Sequence, residues 1–375
     1  RASRTSRTAT TATTTAARST ERATAGRARR ATSEVKSHAL IRAVVEAAAL
    51  RHNLRQVRRV APDSRVMAVI KANAYGHGLV PAAKAFAEAD GFAVARLEEG
   101  LALRAAGLRN RILLLEGIFG ADQLAAAAQE RFELMVHSFE QLAILESLDA
   151  SSPPVTAWIK VDSGMNRLGF RLEEFQDAYA RLRRVAHVVG EPTLVTHLAS
   201  ADDRRDPKTR VQLDAFAGVT AGLPGARSIA NSAGVLAWPA ARADWVRPGL
   251  MLYGVSPFPS GTGAELGLRP AMTLRTEVIA VKNVKAGETV GYGGSWVAPR
   301  DTRMAVVAAG YGDGYARNTR AGAPVLVNGC RAPLIGRVSM DMITVDVTDV
   351  PAVAVGDPVV LWGGEIPVEE IAAHA

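Results

Sequence analysis

"RVMAVIKA" (65–72) is a short apolar run that ends next to a lysine, and its β-prone composition is typical of a strand. Seven further runs of this kind follow, and stretches with apolar residues at helical spacing separate them. They are "GFAVA" (91–95), "RILLLEG" (111–117), "FELMVH" (132–137), "VTAWIKVD" (155–162), "PTLVTHL" (192–198), "RSIANS" (227–232) and "DWVRPGLMLYG" (244–254). Eight strands that alternate with helices predict an α/β fold, a (β/α)8 TIM barrel over residues 37–265.

A doubly wound parallel sheet is the alternative fold for this pattern. No glycine-rich dinucleotide fingerprint follows the first strand, which favours the barrel. After about residue 265 the spacing changes, because "MTLRTEVIAV" (272–281) and "ITVDVTD" (343–349) alternate and helical patterns become rare. Asn328-Gly329 stands between two β-prone runs, which is a hairpin signal. A mostly β domain is therefore predicted over residues 266–375.

The net charge of +8 is concentrated at the start of the chain. Residues 1–36 carry nine basic and two acidic side chains, so the remainder is close to neutral. This segment lacks hydrophobic periodicity and is predicted to be a disordered basic tail, although its Arg, Ser and Thr content is also similar to that of a transit peptide. A near-neutral body argues against a nucleic-acid partner.

The bulk composition excludes several other classes of protein. No apolar run approaches the ~20 residues that span a bilayer, which argues against a membrane protein. The single cysteine, Cys330, permits no disulfide framework within the chain and indicates a reducing compartment, the cytoplasm. It is predicted to be a small buried side chain. The absence of a Cys/His cluster argues against a metal site.

Polar residues stand at the ends of the predicted barrel strands. Catalytic groups of such barrels gather where the strands end and the following loops begin, so these residues should share one mouth. Most of them are basic, hydroxyl-bearing or small: Lys71, Lys160, Asp162, Arg167, His197, Asn231, Ser232, Arg247 and Gly249. Such a set suits a phosphorylated, anionic cofactor.

Lys71 carries the chemistry in this interpretation. An ammonium at the end of an apolar run costs free energy unless something uses it. Apolar walls and neighbouring cations favour the neutral amine, which forms a Schiff base with an aldehyde. Pyridoxal phosphate is the common cofactor that needs both a lysine and a phosphate cradle. The alternative is that Lys71 simply ends a strand and points to solvent.

The segment "AVIKANAYGHG" (68–78) resembles the pyridoxal-lysine segment of alanine racemases. Seven more segments resemble that family in the same order, over roughly residues 40–375: "KVDSGMNRLGF", "THLASAD", "IANSAG", "VRPGLMLYG", "TVGYGGSW", "GYGDGY" and "GRVSMDM". The resemblance implies a barrel followed by a β domain, pyridoxal 5'-phosphate as cofactor, and racemisation of alanine by a homodimer with shared active sites. The D-alanine would supply peptidoglycan synthesis.

The resemblance also implies roles for the residues that touch the substrate. Lys71 matches the lysine that holds the cofactor and acts as one catalytic base. Tyr292 matches the opposite base, which the second subunit contributes. Arg167 matches the contact to the substrate and to the phenolic oxygen of the cofactor. Met340 matches the residue of the second subunit whose backbone amide meets the substrate carboxylate.

Further matches imply the contacts to the cofactor. Tyr75, Ser232 and the backbone of Gly249 match the phosphate contacts. Arg247 matches the partner of the pyridine nitrogen, and His197 matches its neighbour. Lys160 matches a position that is carbamylated in some members of the family.

Both ends of the chain differ from the family pattern. Members of the family continue beyond the equivalent of Ala375 and carry a tyrosine there that reaches the phosphate, so the resemblance implies a β domain truncated at its C-terminus. The family also has the first strand of its second domain near "SHALIRAVVEAAALRHNL" (37–54), where only the later part matches well.

Two alternative functions stay open. The first is a broad-specificity amino-acid racemase on the same fold, because the residues that set substrate size are not identified. The second is a non-catalytic pyridoxal phosphate binding protein built on the barrel alone. The β domain that bears Tyr292 and Met340 argues against the second alternative.

Overall fold

The computed structural model describes residues 39–147 and 153–375. The basic tail predicted over residues 1–36 lies outside the described residues. The helices are Ala47–Val60, Leu79–Ala85, Leu97–Ala105, Ala121–Gln129, Phe139–Glu146, Phe175–Arg184, Lys208–Val219, Ser232–Ala237 and Val368–Ala372. Among these described helices none is long and apolar enough to span a membrane.

Eight parallel strands close into a barrel, in the order in which they occur along the chain. They are β2 (Arg65–Val69), β3 (Gly91–Val94), β4 (Ile112–Leu114), β5 (Glu133–Val136), β6 (Thr156–Lys160), β7 (Thr193–Val195), β8 (Arg227–Ser228) and β9 (Trp245–Val246). Pairing of Arg65 with Trp245 closes the ring. Each predicted run contains one of these strands, so the predicted TIM barrel is confirmed.

Bulky side chains fill the barrel interior below the mouth. The rings of Trp158 and Trp245 lie 5.5 Å apart, and Met67 and Met135 pack in the same buried cluster. The buried Glu133 carboxylate accepts a hydrogen bond of 2.7 Å from Nε1 of Trp158, which satisfies both groups. A packed interior rigidly supports the side chains at the strand ends.

The helices cover the outside of the barrel through apolar faces at helical spacing. In Ala47–Val60, for example, Leu50, Leu54 and Val57 recur at intervals of three or four residues and are all buried. Burial of such a side chain stabilises the fold by about 1.5–3 kcal/mol.

The second domain is an antiparallel sheet of seven strands, in the order β1-β10-β13-β16-β15-β14-β17. Its strands are β1 (Arg42–Val45), β10 (Met272–Val284), β13 (Thr302–Val307), β14 (Pro324–Val327), β15 (Cys330–Ile335), β16 (Ile343–Asp346) and β17 (Pro358–Trp362). The short strands β11 (Thr289–Val290) and β12 (Trp296–Val297) form a separate ribbon. The mostly β C-terminal domain is confirmed.

Strand β1 connects the start of the described chain to this sheet. Arg42 pairs with Arg275 of β10, so the range 37–265 contains one strand of the second sheet. The resemblance places a strand of the second domain in this region, and β1 is that strand.

The predicted hairpin forms at Asn328-Gly329, where both residues have positive φ angles of 52° and 77°. These angles are those of a type I′ turn, which matches the twist of the flanking strands. Cys330 follows directly and is exposed at the tip of this hairpin. The prediction of a buried Cys330 was therefore wrong, because the tip projects beyond the sheet core.

Candidate active site

A cavity of about 650 Å³ lies at the C-terminal ends of the barrel strands. All of the predicted strand-end residues except Asp162 line it: Lys71, Lys160, Arg167, His197, Asn231, Ser232, Arg247 and Gly249. Tyr75, a predicted phosphate contact, lines it as well. They come from strands that are far apart in the sequence. The barrel therefore gathers these side chains at one mouth, as its topology requires.

Lys71 and Tyr75 flank an unusual turn that follows β2. Ala72, Asn73, Ala74 and Tyr75 all have φ angles between 53° and 55°, so four consecutive residues other than glycine adopt the left-handed conformation. This conformation costs roughly 1–2 kcal/mol for each such residue. The turn brings the side chains of Lys71 and Tyr75 to the same cavity.

A small anion cradle lies beside this turn. The Ser232 hydroxyl oxygen accepts hydrogen bonds from the backbone N–H groups of Gly249, at 2.9 Å, and Met251, at 3.3 Å. Because both contacts use the oxygen as acceptor, the hydroxyl proton of Ser232 stays available to donate. A Cβ atom at position 249 would lie only 2.5 Å from the Tyr75 hydroxyl oxygen, so only glycine leaves this space open.

Arg247 is a buried cation, only 4% exposed, on the floor of the cavity. Its Nη1 donates to Oγ of Ser228 at 2.5 Å, and its Nη2 donates to the carbonyl oxygen of Thr196 at 2.6 Å. Nη2 also lies 3.4 Å from Nδ1 of His197. Burial lowers the pKa of Arg247 to about 10, so the guanidinium stays charged near neutral pH.

Positive charge is concentrated around His197 and Lys160. Burial, followed by the charges of Arg247 and Lys160, holds the pKa of His197 well below its ordinary value. Burial and the charge of Arg247 likewise lower the pKa of Lys160 to about 8. Lys71 and Arg167 add to both effects. The positive charge of the site therefore disfavours further cations and favours the binding of an anion.

Asp162 fixes the loop that carries Arg167. Its carboxylate accepts hydrogen bonds from the backbone N–H groups of Gly164, at 2.9 Å, and Asn166, at 3.0 Å. Burial opposes ionisation here, but these backbone hydrogen bonds outweigh it and lower the pKa of Asp162. The resulting turn presents Arg167 at the cavity wall.

Sequence reasoning did not single out three polar residues of this cavity, Glu116, His137 and Asp202. Nε2 of His137 lies 3.1 Å from the carbonyl oxygen of Glu116. His137 directly follows β5, and Glu116 lies two residues after β4, as Lys71 lies two residues after β2. The strand-end rule that selected Lys71 would therefore have found both.

Tyr292 and Met340 lie elsewhere in the chain. Tyr292 occupies the turn between β11 and β12 and is 72% exposed, and Met340 is 55% exposed. Both line a different cavity, of about 870 Å³, on the β domain. Within one chain, the structure does not bring either residue to the cavity that contains Lys71.

Two family profiles match the chain. "Alanine racemase, N-terminal domain" matches residues 45–257, and "Alanine racemase, C-terminal domain" matches residues 271–375. The chain belongs to the alanine racemase family. The first match covers the barrel and its mouth, and the second covers the β domain that bears Tyr292 and Met340.

Relatives in this family are similar over nearly the whole described chain. The alanine racemase of Shewanella amazonensis is 52% identical over 337 residues, which cover 88% of this chain and 92% of that protein. The alanine racemase of Nitrosococcus oceani is 53% identical over 337 residues, covering 89% and 93%.

Solved structures of alanine racemases have the same fold. The biosynthetic alanine racemase of Pseudomonas aeruginosa superimposes with a TM-score of 0.85 at 47% identity, covering 89% of this chain and 93% of that chain. The alanine racemase of Bartonella henselae, a structure with covalently bound pyridoxal phosphate, gives a TM-score of 0.81 at 31% identity, covering 90% and 94%.

Proposed function

We propose that this chain interconverts L-alanine and D-alanine, with pyridoxal 5'-phosphate as its cofactor and the cell-wall peptidoglycan as the destination of D-alanine. The observation that carries the proposal is the barrel-mouth cavity, where a lysine, an anion cradle and a buried arginine meet. The matches to alanine racemases over both domains support it. A cytoplasmic location is part of the proposal and is supported by the single cysteine of the chain.

The residues present fit this cofactor. The hydroxyls of Tyr75 and Ser232 would hold the phosphate, in the space that a side chain at position 249 would fill. The backbone N–H of Gly249 donates to the Ser232 hydroxyl oxygen, so it would orient that hydroxyl toward the phosphate. Lys71 would hold the aldehyde carbon covalently, and Arg247 would donate to the ring nitrogen. When bound, the cofactor withdraws electrons from Cα of the amino acid and makes its hydrogen acidic.

Racemisation needs two proton-transfer groups on opposite faces of Cα. One group removes the hydrogen from one face and the other delivers a hydrogen to the opposite face, so a single base on one side is insufficient. We assign Lys71 to one face and Tyr292 to the other. Nζ of Lys71 and the hydroxyl oxygen of Tyr292 each exchange a single proton with Cα.

A second copy of the chain would supply Tyr292 and Met340. Both are strongly exposed and lie on a cavity separate from that of Lys71. The β domain has two further exposed apolar residues nearby: Tyr311, which lines the same cavity, and Met342, two residues after Met340. Exposed apolar surface of this kind marks association sites. A homodimer with shared active sites is therefore part of the proposal.

The substrate carboxylate would be held from both subunits. Arg167 lines the barrel cavity, and a guanidinium binds a carboxylate through charge-assisted hydrogen bonds. Met340 would contribute its backbone amide from the second subunit. This arrangement orients Cα between the two bases.

Arg247 has a further role in the proposal. An arginine carries only donors and does not readily release a proton, so Arg247 would leave the ring nitrogen of a bound cofactor unprotonated. Arg247 would thereby weaken the electron withdrawal that the cofactor supplies, and we expect fewer side reactions such as transamination. An Arg247→Glu variant that produces no more side product than the wild type would contradict this role.

Two measurements on the purified protein test the proposed function. The absorbance of the bound cofactor is recorded before and after borohydride, and the reduced protein is digested to locate the label. Solvent deuterium is then followed into Cα of both alanine enantiomers. We expect the label on Lys71 and deuterium in both enantiomers.

The same measurements separate the alternatives. A labelled Lys71 without exchange at Cα of any amino acid would indicate a non-catalytic binding protein. Exchange at comparable rates with larger amino acids, such as serine or leucine, would indicate a broad-specificity racemase.

A further inference from the structure

The left-handed turn after β2 requires a stabilising partner. Four consecutive residues other than glycine hold positive φ angles there, between Lys71 and Gly76. Strained backbone of this kind persists only where the surrounding structure fixes it. The turn has internal hydrogen bonds, from Ala74 N to Ile70 O at 2.9 Å and from Gly76 N to Ala72 O at 3.1 Å.

The first N–H of the turn is bound from outside by Glu99. This residue is the third of the helix Leu97–Ala105, which follows β3. Its Oε1 accepts a hydrogen bond of 2.6 Å from the backbone N–H of Ala72. Its Oε2 accepts one of 2.8 Å from the backbone N–H of Ala95. One carboxylate thus joins the ends of two neighbouring barrel strands.

The two hydrogen bonds serve different purposes. The bond to Ala95 reaches back across the N-terminus of the helix that carries Glu99, to the residue that precedes the N-cap Arg96. The bond to Ala72 leaves that helix and holds the residue directly after Lys71. Hydrogen bonds to a charged acceptor are about twice as strong as neutral ones. Helix capping alone does not require this second contact.

We propose that Glu99 is a positioning residue for Lys71. Its carboxylate holds Ala72 in the left-handed conformation, which fixes the backbone from which the Lys71 side chain departs. The same contact fixes Tyr75, three residues further along the turn, in the phosphate cradle. This inference rests on the proposed function, because it concerns how the assigned lysine and cradle are oriented.

The test uses Glu99→Gln, with Glu98→Gln as the matched control. A glutamine keeps the shape of the side chain but turns an NH2 group toward one of the two N–H donors, so one hydrogen bond is lost. Glu98 is the preceding residue of the same helix turn and is exposed. The readouts are kcat, KM, the Kd of the apoprotein for pyridoxal phosphate, and the yield of borohydride labelling at Lys71.

We expect Glu99→Gln to lower kcat by roughly tenfold to a hundredfold, as a displaced catalytic group does. KM should change less than about twofold, because the contacts of Arg167 are untouched. Kd for the cofactor should rise by about tenfold, since Tyr75 shares the turn. Glu98→Gln should leave all four readouts within about twofold.

A rescue variant separates positioning from general stability. Glycine adopts positive φ angles without strain, so Ala72→Gly should restore much of the lost kcat in the Glu99→Gln background. A change confined to thermal stability, or a kcat that Ala72→Gly does not restore, would overturn the role of Glu99. If the wild-type protein gains no borohydride label on Lys71, the proposed function fails and this inference fails with it. If borohydride labels Lys71 in the wild type and the Glu99→Gln variant has unchanged kcat and cofactor Kd, only the role of Glu99 is overturned and the proposed function stands.

Discussion

The barrel mouth and the Tyr292 turn of the β domain differ in how complete they are within one chain. At the mouth, Arg247 is 4% exposed and Lys160 is 8% exposed, and hydrogen bonds fix the side chains from several strands. At the turn, Tyr292 is 72% exposed. Both regions contain residues assigned to one reaction.

The difference indicates which part of the site each chain builds alone. Buried cations are costly, so the chain must arrange their partners during its own folding. An exposed tyrosine has no such requirement and can acquire its surroundings by association. The mouth is therefore expected to bind the cofactor in each chain, and the turn to act only when it meets the mouth of a second chain.

The largest effect is expected from Lys71→Ala, which removes both the cofactor attachment and one base at the mouth. Racemisation should fall by at least about 10⁴-fold, the upper end of a general base contribution. Borohydride should no longer fix the cofactor to the protein. Lys84→Ala, at an exposed lysine of the next helix, is the control and should retain activity. A variant at position 71 with wild-type turnover would refute the assignment.

Tyr292→Phe tests the other side of the comparison and should have the next largest effect. Loss of one of two bases should reduce racemisation by about 10³-fold while the cofactor still binds. Lys71 remains, so one alanine enantiomer should still exchange its Cα hydrogen with deuterium from the solvent. Equal loss of exchange from both enantiomers would contradict the two-sided assignment.

Gly249→Ala tests the cradle at the mouth. The added Cβ would lie 2.5 Å from the Tyr75 hydroxyl oxygen, so the cradle must open. Overpacking of this kind costs about 1–3 kcal/mol, and we expect Kd for pyridoxal phosphate to rise by about tenfold or more. Gly218→Ala, where the added Cβ would meet no atom within 4 Å outside its own helix backbone and chain neighbours, is the matched control. Unchanged cofactor affinity would show that the phosphate binds elsewhere.

Lys160→Met should have the smallest effect. It tests how much the buried positive charge of Lys160 at the mouth destabilises the folded protein. The folded-state pKa of about 8 lies below the ordinary value of 10.5, so the unfolded chain binds this proton more tightly. The resulting penalty on folding is fully present below about pH 8 and disappears as the pH rises toward 10.5. Removal of the charge should therefore stabilise the apoprotein near neutral pH, on the order of 3 kcal/mol.

Thermal unfolding of both apoproteins across this pH range checks the prediction. The difference in Tm between Lys160→Met and the wild type should shrink as the pH rises, whereas Lys84→Met should show no such trend. A pH-independent difference would mean that lost packing, and not charge, separates the two proteins.

Most of the architecture could be predicted from the sequence. The eight barrel strands are β-rich apolar runs bounded by helical patterns, and the Asn328-Gly329 hairpin has a specific turn signal. Both signals come from residues that are neighbours in the sequence. The burial of apolar side chains in the barrel favours the same strands as the local pattern does. The exposed Cys330 was missed because its prediction followed the usual burial of free cysteines and not its place directly after the predicted turn.

The details of the site depend on contacts that no local pattern contains. The run "RVMAVIKA" extends to Ala72, but strand β2 ends at Val69 and the left-handed turn follows. Residues such as Ala72 and Ala74 give no local sign of positive φ angles, because a distant carboxylate, that of Glu99, binds the turn. The roles of Tyr292 and Met340 came from the family resemblance, since both residues are exposed and lie away from the cavity of Lys71 within one chain.

The most direct test of a shared site mixes two inactive variants, Lys71→Ala and Tyr292→Phe. The chains are unfolded and refolded together at equal concentrations, and racemisation is measured against each variant alone. If the sites are shared, half of the dimers are mixed and each mixed dimer has one intact site, so the mixture should recover about a quarter of wild-type activity. If each chain instead uses its own Tyr292, no combination contains an intact site, and a mixture as inactive as its parents would contradict the account.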